Sequence, residues 1–137
     1  MATRAIIRIA EREDGVSFSE HPEKIRTQIY HHWDGYPEGL GVKLASYLDD
    51  KSIVNGLGSK DSEDIVFNGV GCMAASIVAQ LKDGPGNVYI EDRGSHAWID
   101  YEYFIWGDTD KEIWISIFED SECIFVGKPQ QLLEKYG

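Results

Sequence analysis

Four side chains able to bind a metal or move a proton fall within eight residues of this chain: His31, His32, Asp34 and Glu38, inside the run YHHWDGYPEG at 30–39. A further histidine, His96, lies far along the sequence. Imidazole and carboxylate donors suit zinc, manganese or iron, so a metal-dependent hydrolase or lyase using His32, Asp34 and His96 is one candidate chemistry. Strand geometry divides the two histidines, because neighbours on a strand point to opposite faces. His31 shares the register of Ile25 and Ile29 and reads as a hydrogen-bonded core histidine, which leaves His32 for a ligand. The same run is rich in turn formers, Asp34-Gly35 and Pro37-Glu38-Gly39. It serves equally well as a structural corner, with Trp33 and Tyr36 clamping the turn against the core by their apolar rings.

Three Gly-apolar-Gly triplets offer a second chemistry: Gly39-Leu40-Gly41, Gly56-Leu57-Gly58 and Gly69-Val70-Gly71. Free N–H groups at a helix start can hold a phosphate or carboxylate, which makes Gly69 and Gly71 candidate ligand-binding positions. None of the three completes a P-loop or dinucleotide fingerprint. Arg4, Arg8, Lys24 and Arg26 share one face of the first two strands. Arg8 and Arg26, with Trp33, Asp34 and Tyr36, compose the candidate set for a nucleotide held by charge and stacking. Ordinary cross-strand pairing with carboxylates competes for the same arginines. Asp100 and Glu102 stand two apart on one strand face, as a paired-carboxylate site would need. No Ser-His-Asp order, nucleophile elbow, zinc-protease helix or kinase element occurs, so no catalytic residue is assigned and no cofactor is expected.

The elements that must position these residues follow from periodicity. Residues 4–10 and 24–32 alternate with period two and predict strands. Leu40, Leu44, Tyr47 and Leu48 predict a short helix, and 51–67 reads mostly as loop. Val70, Met73, Ala74, Ile77, Val78 and Leu81 form one helical stripe, with Asn68 placed to cap it and Gly84-Pro85-Gly86 to stop it. Strands are predicted at 87–91, 97–106, 112–118 and 122–126, as an antiparallel meander. A last helix opens at Pro129 and runs to Lys135. The expected fold is a single α+β domain spanning 1–137: a two-layer sandwich with a mostly antiparallel sheet of five to six strands, two main helices on one face and a short C-terminal helix. Ile99, Tyr101, Tyr103, Ile105, Ile113, Ile115 and Ile117 then face the helices. Trp98, Phe104, Trp106, Trp114 and Phe118 fall on the other face, a patch too apolar to leave bare. A second copy of the chain is the expected cover, giving a homodimer or higher oligomer; the loops at 11–23 or 51–67 are the alternative.

With 137 residues and 42% apolar content the chain can bury a core without metals or disulfides. Its net charge of −11 argues against general nucleic-acid binding, which needs clustered Lys and Arg, and favours a basic partner. Cys72 and Cys123 lack C-x-x-C spacing and sit in apolar stretches, so both read as buried free thiols of a reducing compartment. The N-terminal run MATRAIIRIAER has no apolar signal-peptide stretch, and no run is long enough to span a membrane. A cytoplasmic location is expected.

MATRA at the start, YHHWDGYPEG, NGVGCMAA, and GNVYI followed by DYEY together resemble a set of small uncharacterised proteins of phages and prophage-bearing bacteria. The resemblance runs over nearly the whole chain. It implies a phage setting and carries no catalytic residues with it. In that setting the expected role is non-enzymatic counter-defence, with a host defence protein or a small nucleotide as partner. The chain would be either an acidic blocker of a complex such as CRISPR or a sponge for a nucleotide signal. A phage structural or assembly component is the other non-enzymatic reading.

Overall fold

Period-two apolar patterning at both ends of the chain produces the sheet that the computed structural model shows; the structure describes residues 2–11, 24–54, 66–94, 98–107 and 112–137. Six strands join in one mixed sheet: β1 (Ala5–Ala10), β2 (Ile25–His31), β5 (Val88–Glu91), β6 (Tyr101–Gly107), β7 (Ile113–Glu119) and β8 (Glu122–Gly127), in the order β5-β2-β1-β6-β7-β8. Four of the five pairings are antiparallel; β6-β7-β8 form a meander as expected, but β5, expected as its first strand, pairs with β2 at the far edge of the sheet. The exception is β1 with β6, which run parallel. Parity alone could not reveal that direction, because a strand shows the same alternation whichever way its neighbour runs. β1 sits centrally and is buried on both faces: Ile6 is as enclosed as Ile7 and Ile9. Such two-sided burial explains why its sequence is almost uninterruptedly apolar.

Among the described residues three α-helices pack with this sheet. A wide helical turn at Pro37–Gly41 feeds α1 (Val42–Leu48), which buries Leu44, Ala45 and Leu48. α2 (Gly69–Leu81) buries Met73, Ala74, Ile77 and Leu81, four members of the predicted stripe. Asn68 occupies the cap position of α2 without making a side-chain cap. α3 (Pro129–Tyr136) starts on Pro129, and the Gln131 Oε1 accepts the Lys128 N–H at 2.8 Å. Between α1 and α2 the structure adds two short strands that the sequence left as loop, β3 (Ser52–Val54) and β4 (Val66–Asn68), paired in parallel. Three residues each is too short for a period to register.

The main core lies on the helix side of the sheet. Ile7, Ile9, Ile29, Tyr103, Ile105, Ile113, Ile115 and Ile117 meet Leu44, Leu48, Met73, Ile77 and Leu132 there. Fully burying such a side chain contributes about 1.5–3 kcal/mol. A second cluster, Ala10, Phe104, Trp106 and Phe118, occupies the opposite face as the register predicted. Of the five rings expected to need cover, Phe104, Trp106 and Phe118 are 1%, 4% and 9% exposed within one chain and Trp114 is half-buried, whereas Trp98 is 83% exposed. Phe104, Trp106 and Phe118 therefore need no second copy as their cover. The loops proposed as the alternative cover, 11–23 and 51–67, lie largely outside the described residues. Cys72 and Cys123 are free, but Cys72 is exposed and Cys123 half-buried. Cys72 falls off the stripe that α2 buries, which is why an apolar neighbourhood in sequence did not bury it. Among the described residues no helix is long and apolar enough to cross a membrane.

Candidate functional site

Glycine at position 35 sets the corner. A Cβ there would lie 2.7 Å from the Ala5 Cβ and 2.9 Å from the Thr3 carbonyl oxygen, so only glycine lets the turn press against the start of β1. Its N–H donates to Thr3 O at 2.9 Å, and its carbonyl accepts from the buried Tyr103 hydroxyl at 2.6 Å. Asp34 takes a left-handed backbone (φ 56) and its carbonyl accepts the Leu40 N–H at 3.0 Å. From the other side Asn87 closes the corner, also left-handed (φ 63). Its Oδ1 accepts the N–H groups of His32 (3.1 Å) and Trp33 (2.8 Å), and its backbone carbonyl accepts His32 N–H at 2.9 Å.

This clamp displays an aromatic surface. Trp33 is 52% and Tyr89 50% exposed, and Tyr36 also stands out; Ile90 is exposed too, on the sheet face opposite Tyr89. The rings form a chain: Trp33 to His32 at 5.4 Å, His32 to Tyr30 at 5.8 Å, Tyr30 to Tyr89 at 6.0 Å. The Tyr30 hydroxyl lies 2.6 Å from His32 Nδ1. With Nδ1 engaged by that hydroxyl, Nε2 is the ring nitrogen left to face a ligand among these rings. Lys82 lies over the Tyr89 ring at 5.6 Å. Compared with known proteins, the chain matches no family model, no curated relative and no solved structure. Function must therefore be argued from this geometry.

His31 and His32 point to opposite faces as expected. His31 is buried, 5% exposed, as expected of a core histidine; the Trp33 backbone bonds the ring, while its Nδ1 has no hydrogen-bond partner among the described residues. Burial, reinforced by the charge of Lys43, lowers its pKa, so the ring stays neutral. Desolvating an orphaned imidazole nitrogen costs less than burying a charged ring, which is how the site tolerates it. Trp33 and Tyr36 do not clamp the corner; Gly35, Tyr103 and Asn87 do. For the metal reading, the His32 Nδ1 is engaged by Tyr30, His96 lies outside the described residues, and no group of three or more ligating side chains occurs among the described ones.

The remaining candidates are dispersed. Arg8 pairs with Glu102, donates to Gln28 Oε1 at 3.3 Å and Gly94 O at 2.8 Å, and covers the Phe104 ring at 5.7 Å. Gln28 continues this row to Glu91 at 2.9 Å, so Arg8 is a cross-brace of four strands. Arg26 holds Glu11 at 2.9 Å, at the opposite end of β2 from Trp33 and ~23 Å away along an extended strand. Gly69 and Gly71 begin α2, whereas Lys82 just past its C-terminus reaches Tyr89, so the glycines lie ~20 Å from the aromatic corner. Gly56-Leu57-Gly58 is outside the described residues.

A different concavity lies where β6 begins. Two adjoining hollows, of about 310 and 250 Å³, share Asp100, Tyr101 and Asp120 and add Glu119 and Trp98. The Glu119 carboxylate beside Tyr101, aided by burial and by Glu38 and Asp100, pushes the phenol up to about 12. Asp100 and Glu102 do not act as a carboxylate pair, because Asp100 accepts the Arg4 N–H at 2.9 Å while Glu102 holds Arg8.

The sequence reading missed Asn87, Tyr89, Lys82 and Tyr103. Asn87 had a usable signal: an Asn after Gly-Pro-Gly favours a left-handed turn with a free side-chain acceptor. Nothing local could have told that this acceptor serves a corner 54 residues away.

Proposed function

We propose that this chain is a phage-encoded, non-enzymatic binding protein that blocks a basic surface of a host defence complex. The observation that carries the reading is the run of rings from exposed Trp33 through His32 and Tyr30 to exposed Tyr89, on a clamped corner of an acidic molecule. Trp and Tyr held in place lose little entropy on binding and dominate interface hot spots. The net charge of −11 would steer the chain toward a basic partner and raise the association rate. The phage setting rests on the resemblance of the MATRA, YHHWDGYPEG and NGVGCMAA motifs.

Binding of the purified chain to reconstituted defence complexes, CRISPR effectors first, tests this by surface plasmon resonance across a salt series. Capture is expected, with association slowing steeply as salt rises. Trp33→Ala and Tyr89→Ala should each weaken it at least tenfold at unchanged melting temperature, as hot-spot truncations do. Binding indifferent to both substitutions would sink the assignment of this corner.

One observation favours the sponge variant of the same role. The Tyr30-oriented His32 presents Nε2 beside exposed rings, an arrangement suited to a planar heterocycle with a hydrogen-bonding edge. A thermal-shift screen with cyclic and ADP-ribose nucleotides separates the two: a shift lost in His32→Ala selects the sponge, and no shift selects the protein partner.

A further inference from the structure

The outer strands of a sheet carry a row of unpaired backbone groups that another chain can extend, and proteins that stay separate block that row with charges or bulges. Here β5 and β8 are the outer strands. Both are apolar, VYIE and ECIFVG, and neither contains a proline or a basic residue. Each nonetheless has a lysine on its backbone, delivered from a helix or from just past its end.

On β5 the Asn87 carbonyl accepts from His32, so the alternation of an antiparallel ladder turns the groups of Val88 and Ile90 outward. Val88 is already used: its N–H donates to Gly86 O at 2.7 Å, and its carbonyl accepts from Lys82 Nζ at 2.9 Å. The same ammonium donates to Gly86 O at 2.9 Å and lies over Tyr89. Ile90 alone keeps its outward groups uncovered in this span. On β8 the register slips opposite Ile117 and Phe118, leaving Ile124 as the extra residue of a bulge. Its carbonyl accepts from Lys135 Nζ at 3.0 Å, an ammonium that also lies 5.9 Å from the Phe125 ring centre and 5.3 Å from that of Tyr136. The neighbouring Phe125 carbonyl accepts from Cys123 Sγ at 3.4 Å.

We infer that Lys82 and Lys135 guard the two edges of the sheet, and that the partner they exclude is a second copy of this chain adding as a strand. Lys82 sits just past the end of α2 and Lys135 within α3; they act on different strands and share one geometry, an ammonium on an edge-strand carbonyl beside an aromatic ring. The lysine stems shield the apolar edges while the charges repel an approaching strand that would have to displace them. This inference is independent of the proposed function. It leaves the aromatic corner as a surface read through side chains, not through strand pairing.

The test replaces both residues by Met in Lys82→Met/Lys135→Met, which keeps the stems and removes the ammonium groups. Sedimentation velocity should show the parent and the Lys82→Arg/Lys135→Arg variant as monomers. The Met pair should self-associate at least tenfold more tightly, with the Ile90 and Ile124 amides slowing in hydrogen exchange as the edges pair. Should the Met pair lose its native circular dichroism, Lys82→Gln/Lys135→Gln takes its place in the same measurements. A folded Met or Gln pair that stays monomeric like the parent overturns the inference. So does a parent that already sediments as a dimer and whose Ile90→Cys variant forms a disulfide between two copies.

Discussion

The hydroxyl of Tyr103, in the middle of β6, donates a 2.6 Å hydrogen bond to the backbone carbonyl of Gly35 and thereby ties the sheet core to the corner that bears the exposed aromatics. Tyr103 is fully buried, and burial drives its pKa well above the ordinary tyrosine range. Phenylalanine would fill the same space but leave the carbonyl unpaired. Tyr103→Phe is therefore expected to cost about 1–3 kcal/mol, read from urea unfolding. A variant as stable as the parent would show that water or another donor replaces the phenol.

Adjacent positions of the corner should respond in opposite ways. Gly35→Ala forces a Cβ to 2.7 Å from Ala5, against a core strand that cannot retreat, and should cost at least about 2 kcal/mol. Asp34 is exposed, and its carboxylate makes no hydrogen bond among the described residues. Asp34→Ala should cost only about 1 kcal/mol from the left-handed backbone, and Asp34→Gly should be neutral or stabilising. Unfolding by Asp34→Ala would instead assign the carboxylate a structural partner.

The contrast between these neighbours marks how much the sequence could say. Turn chemistry identified the corner at 30–39, and parity separated His31 from His32 and assigned Tyr103 to the helix face. Periodicity found the six strands of the main sheet and the α2 stripe, because each is a local pattern repeated along one element, but it placed β5 in the meander where the sheet has it beside β2. What escaped needed three dimensions. The parallel pairing of β1 with β6 joins segments with no sequence signal of direction. The Arg8–Glu102 brace spans 94 residues, and the same parity that suggested a ligand-binding arginine fits a brace equally well. Parity placed Phe104, Trp106 and Phe118 together on the second face, yet their burial within one chain, with Trp98 left exposed, was invisible to it.

Asn87 supplies the next test, because one side chain holds two N–H groups of the corner while its backbone is left-handed. Asn87→Gly keeps the backbone freedom and deletes the acceptor. It should cost about 1–2 kcal/mol, as loss of a capping side chain does. Asn87→Ala adds backbone strain and should cost more. Loosening Trp33 should also show as lowered fluorescence anisotropy at that ring in a variant that keeps its other three tryptophans as phenylalanine. Equal stability of Gly and Ala variants would mean that the left-handed turn carries no strain at this position.

Stability should be level between roughly pH 6.5 and pH 10 and fall on both sides, for reasons that differ in sign. His31 has a lowered folded pKa against an ordinary 6.5, chiefly from burial. Below pH 6.5 the unfolded chain takes up a proton that the folded chain refuses, so stability declines as pH falls toward the folded value. Glu11, whose pKa is lowered first by its bond to Arg26, adds a loss only below the ordinary 4.5. Tyr101 works in the other direction: its folded pKa is pushed up to about 12 by the Glu119 carboxylate, while the unfolded phenol ionises near 10. Above pH 10 the unfolded chain loses that proton first, and stability declines as pH rises. Urea unfolding across pH 4.5–11 checks both limbs. His31→Gln should flatten the limb between pH 6.5 and 4.5, and Tyr101→Phe should flatten the one above pH 10, each without altering the other. An acid limb unchanged in His31→Gln would place the proton uptake on another group and remove His31 from the account of pH dependence.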